Sequence, residues 1–272
     1  MKNTVLRIFA LVCLLLPAVP ALSHELWIEP EQYQVESGAP VVASLKNGQK
    51  FEGAEQAWYD SRIAVFDWVQ GDQRAPITGR AGDIPAVQGL VLEDGLAVMA
   101  YQSQPSVVSY PTWEKFQAFV EHKDFGDVRA RHLARGLPEA PFREVYTRYS
   151  KALVGVGHGR GADRAMGFET EFVALANPYV DDLSDGFPVR LSFDGAPRAA
   201  AQVEVFERAP DGAVVISLLR TDAEGVVHVP VTPGHVYLLD AVILRDPAPD
   251  LAEARNAVWE SLWAALSFAV PG

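Results

Sequence analysis

The chain has 272 residues, with 35 acidic against 23 basic side chains, a net charge of −12 and one cysteine. A chain this acidic lacks the basic face that nucleic acid requires, and it is repelled by an anionic membrane surface. A single cysteine excludes an internal disulfide and a thiolate cluster.

Residues 1–23 read MKNTVLRIFALVCLLLPAVPALS. Lys2 and Arg7 lead, Ile8 to Leu16 is apolar, and Pro17 and Pro20 precede small residues. This is the pattern of a cleaved secretory signal, so a periplasmic protein is expected. The apolar stretch is too short to cross a bilayer core of roughly 30 Å, and no other stretch is long enough for a membrane span. A cut after Ser23 leaves His24 first. A cut after Ala21 leaves Leu22, Ser23 and His24. Either cut removes Lys2, Arg7 and Cys13, which takes the net charge from −12 to −14. Metal ligands must then be His, Asp, Glu, the free amine or backbone groups.

Over residues 24–110 short β-branched and aromatic runs (ELWIE, YQVES, PVVASL, AWYDSRIAVFDWV, GLVL, LAVMAYQS) alternate with turn signals such as SGAP and EDG. They predict an N-terminal β-sandwich. Residues 111–164 change character. Trp113, Phe116, Phe119 and Val120 recur at helical spacing after Pro111, and the pattern stops near Gly126. DVRARHLARGL predicts a second helix closed by Gly136, PFREVYTRYSKALV a third helix or a strand, and GVGHGRGADRAMG a glycine-rich loop. From 165 to 272 strands return between the turn pairs Asp194-Gly195, Asp211-Gly212, Glu224-Gly225 and Pro233-Gly234, predicting a second sandwich. NAVWESLWAALSFAV closes the chain as a helix or final strand. The fold class is therefore mainly β, two sandwiches with a short helical insertion.

His24 is the strongest candidate ligand. As the first residue it offers amine and imidazole to one ion; as the third it completes a square-planar set with amine and two amides, suited to Cu(II) or Ni(II). His122 and His132 lie in EHKDFGDVRARH with Glu121, Asp124 and Asp127, a grouping that fits no fixed metal motif and better describes a solvated helix face. His158 sits among four glycines and two arginines, but no Lys-Ser or Lys-Thr follows to make a phosphate loop. It is either brought to a metal by its loop or rides a turn. His228 and His235 read as strand-surface residues. No G-x-S-x-G and no mature cysteine point to covalent catalysis, so an enzyme is not expected.

Several blocks together resemble the DUF4198 family over essentially the whole mature chain: SHELWIEPEQYQV after the leader, which is similar to an AHxFWIEP opening, and FVEHKDF, RGLP, YTRYSKALVGVG, ETEFVALANPY, PVRLSFDGAPR, VEVFERAPDG, RTDAEG, YLLDAVILR and VWESLWAALSF in the same order. Ser23 stands where the family usually has alanine. The resemblance implies Ig-like or transthyretin-like domains and a periplasmic role in nickel and cobalt uptake. By position in these blocks it makes His24 and His122 candidate ligands. The expectation is a periplasmic protein binding Ni(II), Co(II) or possibly Cu(II) through His24, His122 and His158, with Glu121 or Asp124 adding oxygen, in support of a membrane transporter. Two alternatives are a non-enzymatic Ig-like module that binds an envelope partner through strand edges, and a copper oxidoreductase with an N-terminal histidine brace.

Overall fold

Residue alternation along the strands shapes the molecule. The computed structural model describes residues 24–272; the secretory leader expected over 1–23 lies outside them. The described chain is mainly β, in three sheets with three short helices. None of these helices is long and apolar enough to cross a membrane.

The first sheet is built of β1 (Glu25–Pro30), β3 (Pro40–Gln49), β4 (Glu52–Gln56) and β7 (Val87–Val91). The central sheet has ten strands: β2 (Gln34–Val35), β5 (Ile63–Gln70), β6 (Gln73–Pro76), β8 (Gly95–Ser103), β9 (Ser106–Tyr110), β10 (Phe142–Val156), β14 (Gln202–Arg208), β15 (Val214–Arg220), β17 (Val236–Arg245) and β18 (Trp259–Ala269). The third is β11 (Thr170–Ala174), β12 (Phe187–Phe193), β13 (Ala196–Pro197) and β16 (Val226–Val229). Helices α1 (Trp113–His122) and α2 (Val128–Ala134) fall where the helical spacing predicts them, and α3 (Pro249–Arg255) precedes β18.

The main path of the central sheet runs β15-β14-β17-β18-β10-β8-β5-β6. It takes strands from both expected sandwiches and joins them through β10. The segment PFREVYTRYSKALV, open between helix and strand, is this 15-residue strand. β18 runs parallel to β10 and antiparallel to β17, so the closing segment is a central strand. That position explains its near-continuous apolar run, since both of its faces are covered.

One face of the central sheet packs Val203, Leu239, Leu262, Leu266 and Phe268 against Phe172, Phe187, Val189 and Leu191 of the third sheet. The other face carries the first sheet at one end and the helices at the other. Phe116 and Phe119 of α1 lie over Trp259 and Trp263 of β18, with Phe119 and Trp263 stacked at 5.6 Å. β1 comes close over this face because Ser150, Ala265 and Ser267 beneath it are small. Ser150 Oγ accepts the Ile28 amide at 3.2 Å, and Ser267 Oγ donates to the Ile28 carbonyl at 2.6 Å.

His132 is fully buried, not part of a solvated helix face: it bonds the Pro138 carbonyl and accepts the Trp259 indole N–H at 3.0 Å. The glycine-rich loop is pinned. The Asn177 amide donates to the Gly159 and Gly161 carbonyls, and the Leu96 amide to that of Arg160.

Candidate metal centre

The register of the central sheet places Glu204 of β14 opposite Asp240 of β17, and Asp240 opposite Ala265 of β18. Two buried carboxylates thus stand side by side on the face that β1 and α1 cover. Glu25 opens β1. Along β1, Glu25 and Trp27 turn toward this face, where Trp27 meets Phe206 and Leu238. His24 and Leu26 alternate to the other side, where Asn47 lies.

Helix α1 delivers an imidazole and an ammonium. It ends in a Schellman motif: the Asp124 amide bonds the Glu121 carbonyl and the Phe125 amide that of Val120. Asp124 takes the left-handed position, φ 55°, and Phe125 packs on Phe119. This cap aims His122 and Lys123 at the carboxylates. The Gln202 side-chain amide holds the His122 carbonyl at 2.9 Å.

Lys123 is buried among Glu25, Glu204 and Asp240. Its Nζ is 3.3 Å from Glu25 Oε1 and 2.8 Å from Asp240 Oδ2, and it bonds Glu204 Oε2. His122 Nε2 is 3.0 Å from Glu204 Oε1, so the two carboxylate oxygens of Glu204 are divided between imidazole and ammonium. Ligand atoms of Glu25, His122 and Glu204 all lie within 4.8 Å of one another. They border a cavity of about 80 Å³ with Gln49, Lys50, Phe206 and Ile216, and His122, Lys50 and Ile216 form its exposed wall. Donors bound to one ion at about 2.0–2.2 Å stand roughly 3–4 Å apart, so the group would have to draw in, and Lys123 shift, to hold a cation.

Three carboxylates share one buried ammonium, with a second lysine, Lys50, on the exposed side of the cavity. Burial and the neighbouring Asp240 push the Glu25 carboxyl up to about 7. Burial also raises Asp240, whose Oδ1 has no partner among the described residues. Burial pushes Glu204 the same way, but the bonds from His122 and Lys123 outweigh it and hold its pKa low. Burial works against the Lys123 ammonium, yet Asp240, Glu25 and Glu204 together raise its pKa and keep it charged. A borderline divalent cation would relieve this surplus, and the mixed imidazole and carboxylate donors suit one.

Of the three histidines singled out in the sequence, His122 belongs to this group. His24 is exposed, with Nδ1 3.3 Å from Asn47 Oδ1, and its carbonyl accepts from Arg148. His158 Nδ1 accepts the backbone amide of Arg160 within its own loop. The expected oxygen donors are also engaged elsewhere: Glu121 accepts from Gln117 and Asp124 pairs with Arg220. The carboxylates grouped with His122 are instead those of Glu25 and Glu204. A sequence signal for them existed. Asp240 is the lone acid in YLLDAVIL, and Glu204 interrupts VEVF, both apolar runs with buried neighbours. An acid in such a run needs a cation or a proton.

A profile described as "Domain of unknown function (DUF4198)" matches residues 21–245. The chain belongs to the DUF4198 family. The match includes Glu25, His122, Lys123, Glu204 and Asp240 and stops before α3 and β18. No curated protein matches the chain.

Proposed function

We propose that this DUF4198 protein binds a divalent transition metal, Ni(II) or Co(II) or else Cu(II), in the periplasm and supports its uptake by a membrane transporter without turning over a substrate. The observation that carries the reading is the meeting of Glu25, His122 and Glu204, from three separate elements, around one small opening with surplus negative charge. The acidic surface would gather cations at low ionic strength. In this reading the chain is two Ig-like or transthyretin-like sandwiches sharing the central sheet.

The test is titration of metal-stripped, leader-processed protein with Ni(II), Co(II), Cu(II) and Zn(II) by calorimetry. Micromolar binding should fall at least tenfold in His122→Ala and in Glu204→Gln, and stay within threefold in His24→Ala. A loss that follows His24 alone would move the site to the mature N-terminus. No binding of any ion at millimolar concentration would remove the reading.

One observation favours the second reading, an interaction module. Among the described residues β15 pairs only with β14, as an edge strand, and exposes Val215, Ile216 and Leu218. Such an edge suits strand addition by an envelope partner. Cross-linking from Leu218 in intact cells would identify that partner; a captured transporter component would join the two readings.

A further inference from the structure

We propose that a second cavity, across the start of β1 from the carboxylates, binds a small oxyanion. It measures about 340 Å³, room for roughly ten water volumes. Its wall holds Arg62 and Arg148 with Asn47, Gln56, Tyr101 and Tyr146, and no Asp or Glu lines it. In a chain where acids outnumber bases 35 to 23, a cavity with two arginines and no acid is the inverse of the rest of the surface.

Arg148 carries the argument. Its residue is 8% exposed, yet no carboxylate lies within ion-pair distance of its guanidinium among the described residues. The guanidinium lies over the rings of Tyr146, at 4.7 Å, and Trp263, at 5.4 Å. One terminal nitrogen donates to the His24 carbonyl, and Nε has no partner among the described residues. A buried guanidinium left without an anion is costly, because burial favours its neutral form and its donors go unmet. Glu25, Asp240 and Glu144 act on it only through space. Buried Lys123 is held by three carboxylates and buried Lys151 by Asp163, whereas Arg198, bonded to the Val242 carbonyl, shares with Arg148 an unpartnered nitrogen among the described residues but does not line this cavity.

The remaining groups supply donors around the guanidinium. Arg62, exposed at the rim, makes no ion pair among the described residues and rests over Tyr59 at 5.2 Å. Ser103 Oγ accepts the Arg148 amide at 3.0 Å, which leaves its own hydroxyl proton to donate inward. A planar guanidinium fork matches carboxylate and phosphate oxygens in pairs. The ligand class is therefore a small carboxylate, phosphate or sulfate, held by Arg148 at the base and Arg62 at the mouth.

The site is independent of the metal reading, and the test keeps them apart. Metal-stripped protein is titrated by calorimetry with succinate, citrate, inorganic phosphate and sulfate in chloride-free buffer. At least one should bind one to one below about 1 mM, the level corresponding to roughly −4 kcal/mol. That affinity should fall at least tenfold in Arg62→Ala and in Arg148→Gln, and be unchanged in His122→Ala. Binding of succinate or citrate alone makes the ligand a carboxylate; binding of phosphate or sulfate alone makes it a tetrahedral oxyanion. If Arg148→Gln does not fold, Arg62→Ala and Tyr146→Phe decide. No binding of any of the four, or binding indifferent to the Arg62 and Tyr146 changes, overturns the proposal.

Discussion

Lys123 is buried against three acids on three different strands, and removing it would leave their charge uncompensated in a low-dielectric place. Breaking such a group from one side costs about 3–5 kcal/mol. Lys123→Met should therefore lower thermal stability far more than Lys115→Met on the exposed side of α1, as differential scanning calorimetry would show. Added divalent metal should restore part of that loss; no recovery would mean that the carboxylates do not hold a cation in place of the ammonium. Glu144 presents the opposite case. It is fully buried, accepts from Tyr110 and Ser261, and burial pushes its pKa up to about 7. The folded state thus favours the protonated form. The stability this group contributes is complete below about pH 4.5 and is lost as pH rises through 7. Between pH 5 and pH 8 the wild type should lose about 2–3 kcal/mol that Glu144→Gln keeps, a divergence of roughly 5–10 °C in melting temperature. Parallel pH profiles of the two proteins would contradict it.

At the scale of elements, much was legible. Turn pairs and alternation place nearly every strand, and the spacing of Trp113, Phe116, Phe119 and Val120 places α1 with its buried face. Ambiguity stayed where both faces are buried: YTRYSKALV and VWESLWAALSF lack alternation because β10 and β18 are covered on each side. His122 was legible by its block. Its partners were not, because Glu25 and Glu204 lie far from it in the chain and only the sheet register brings them there. The sequence pattern puts the helix stop near Gly126, whereas Asp124 makes the left-handed turn that ends α1. Asp tolerates that conformation; a β-branched residue does not. Asp124→Val should cost about 1–2 kcal/mol and weaken metal binding, since the cap orients His122. Asp124→Gly loses the same exposed pair with Arg220 but keeps the turn, so its stability should stay within about 0.5 kcal/mol of the wild type. Equal losses in the two variants would show that the Arg220 pair, not the backbone, holds the cap.

At the scale of the whole molecule, the central sheet decides how the chain folds. The two predicted sandwiches are stitched by β10 and β18, which pair along nine residues from Glu144–Trp259 to Ala152–Ser267. β18 also pairs with β17 over ten residues, so it fills the seam between strands that arise before and after the third sheet. Its side chains enter the core on both faces: Leu262, Leu266 and Phe268 on one, Trp259 and Trp263 on the other. The family match ends at residue 245, yet without β18 the edges of β10 and β17 would be unpaired and two apolar clusters open. Parallel pairing between strands more than 100 residues apart also makes folding wait on the end of the chain. Two expectations follow. Protein ending at Arg245 should be insoluble or molten, with no cooperative melt and no metal binding. The full chain should unfold in one transition, with far-UV circular dichroism, tryptophan fluorescence and the calorimetric enthalpy coinciding. A folded, cooperative 24–245 fragment would show that β18 closes a structure already complete. Two resolved transitions would show that each half owns its share of the sheet, in which case the carboxylates of β14 and β17 and the Glu25 of β1 could separate without global unfolding, and metal would raise the melting temperature of neither half alone.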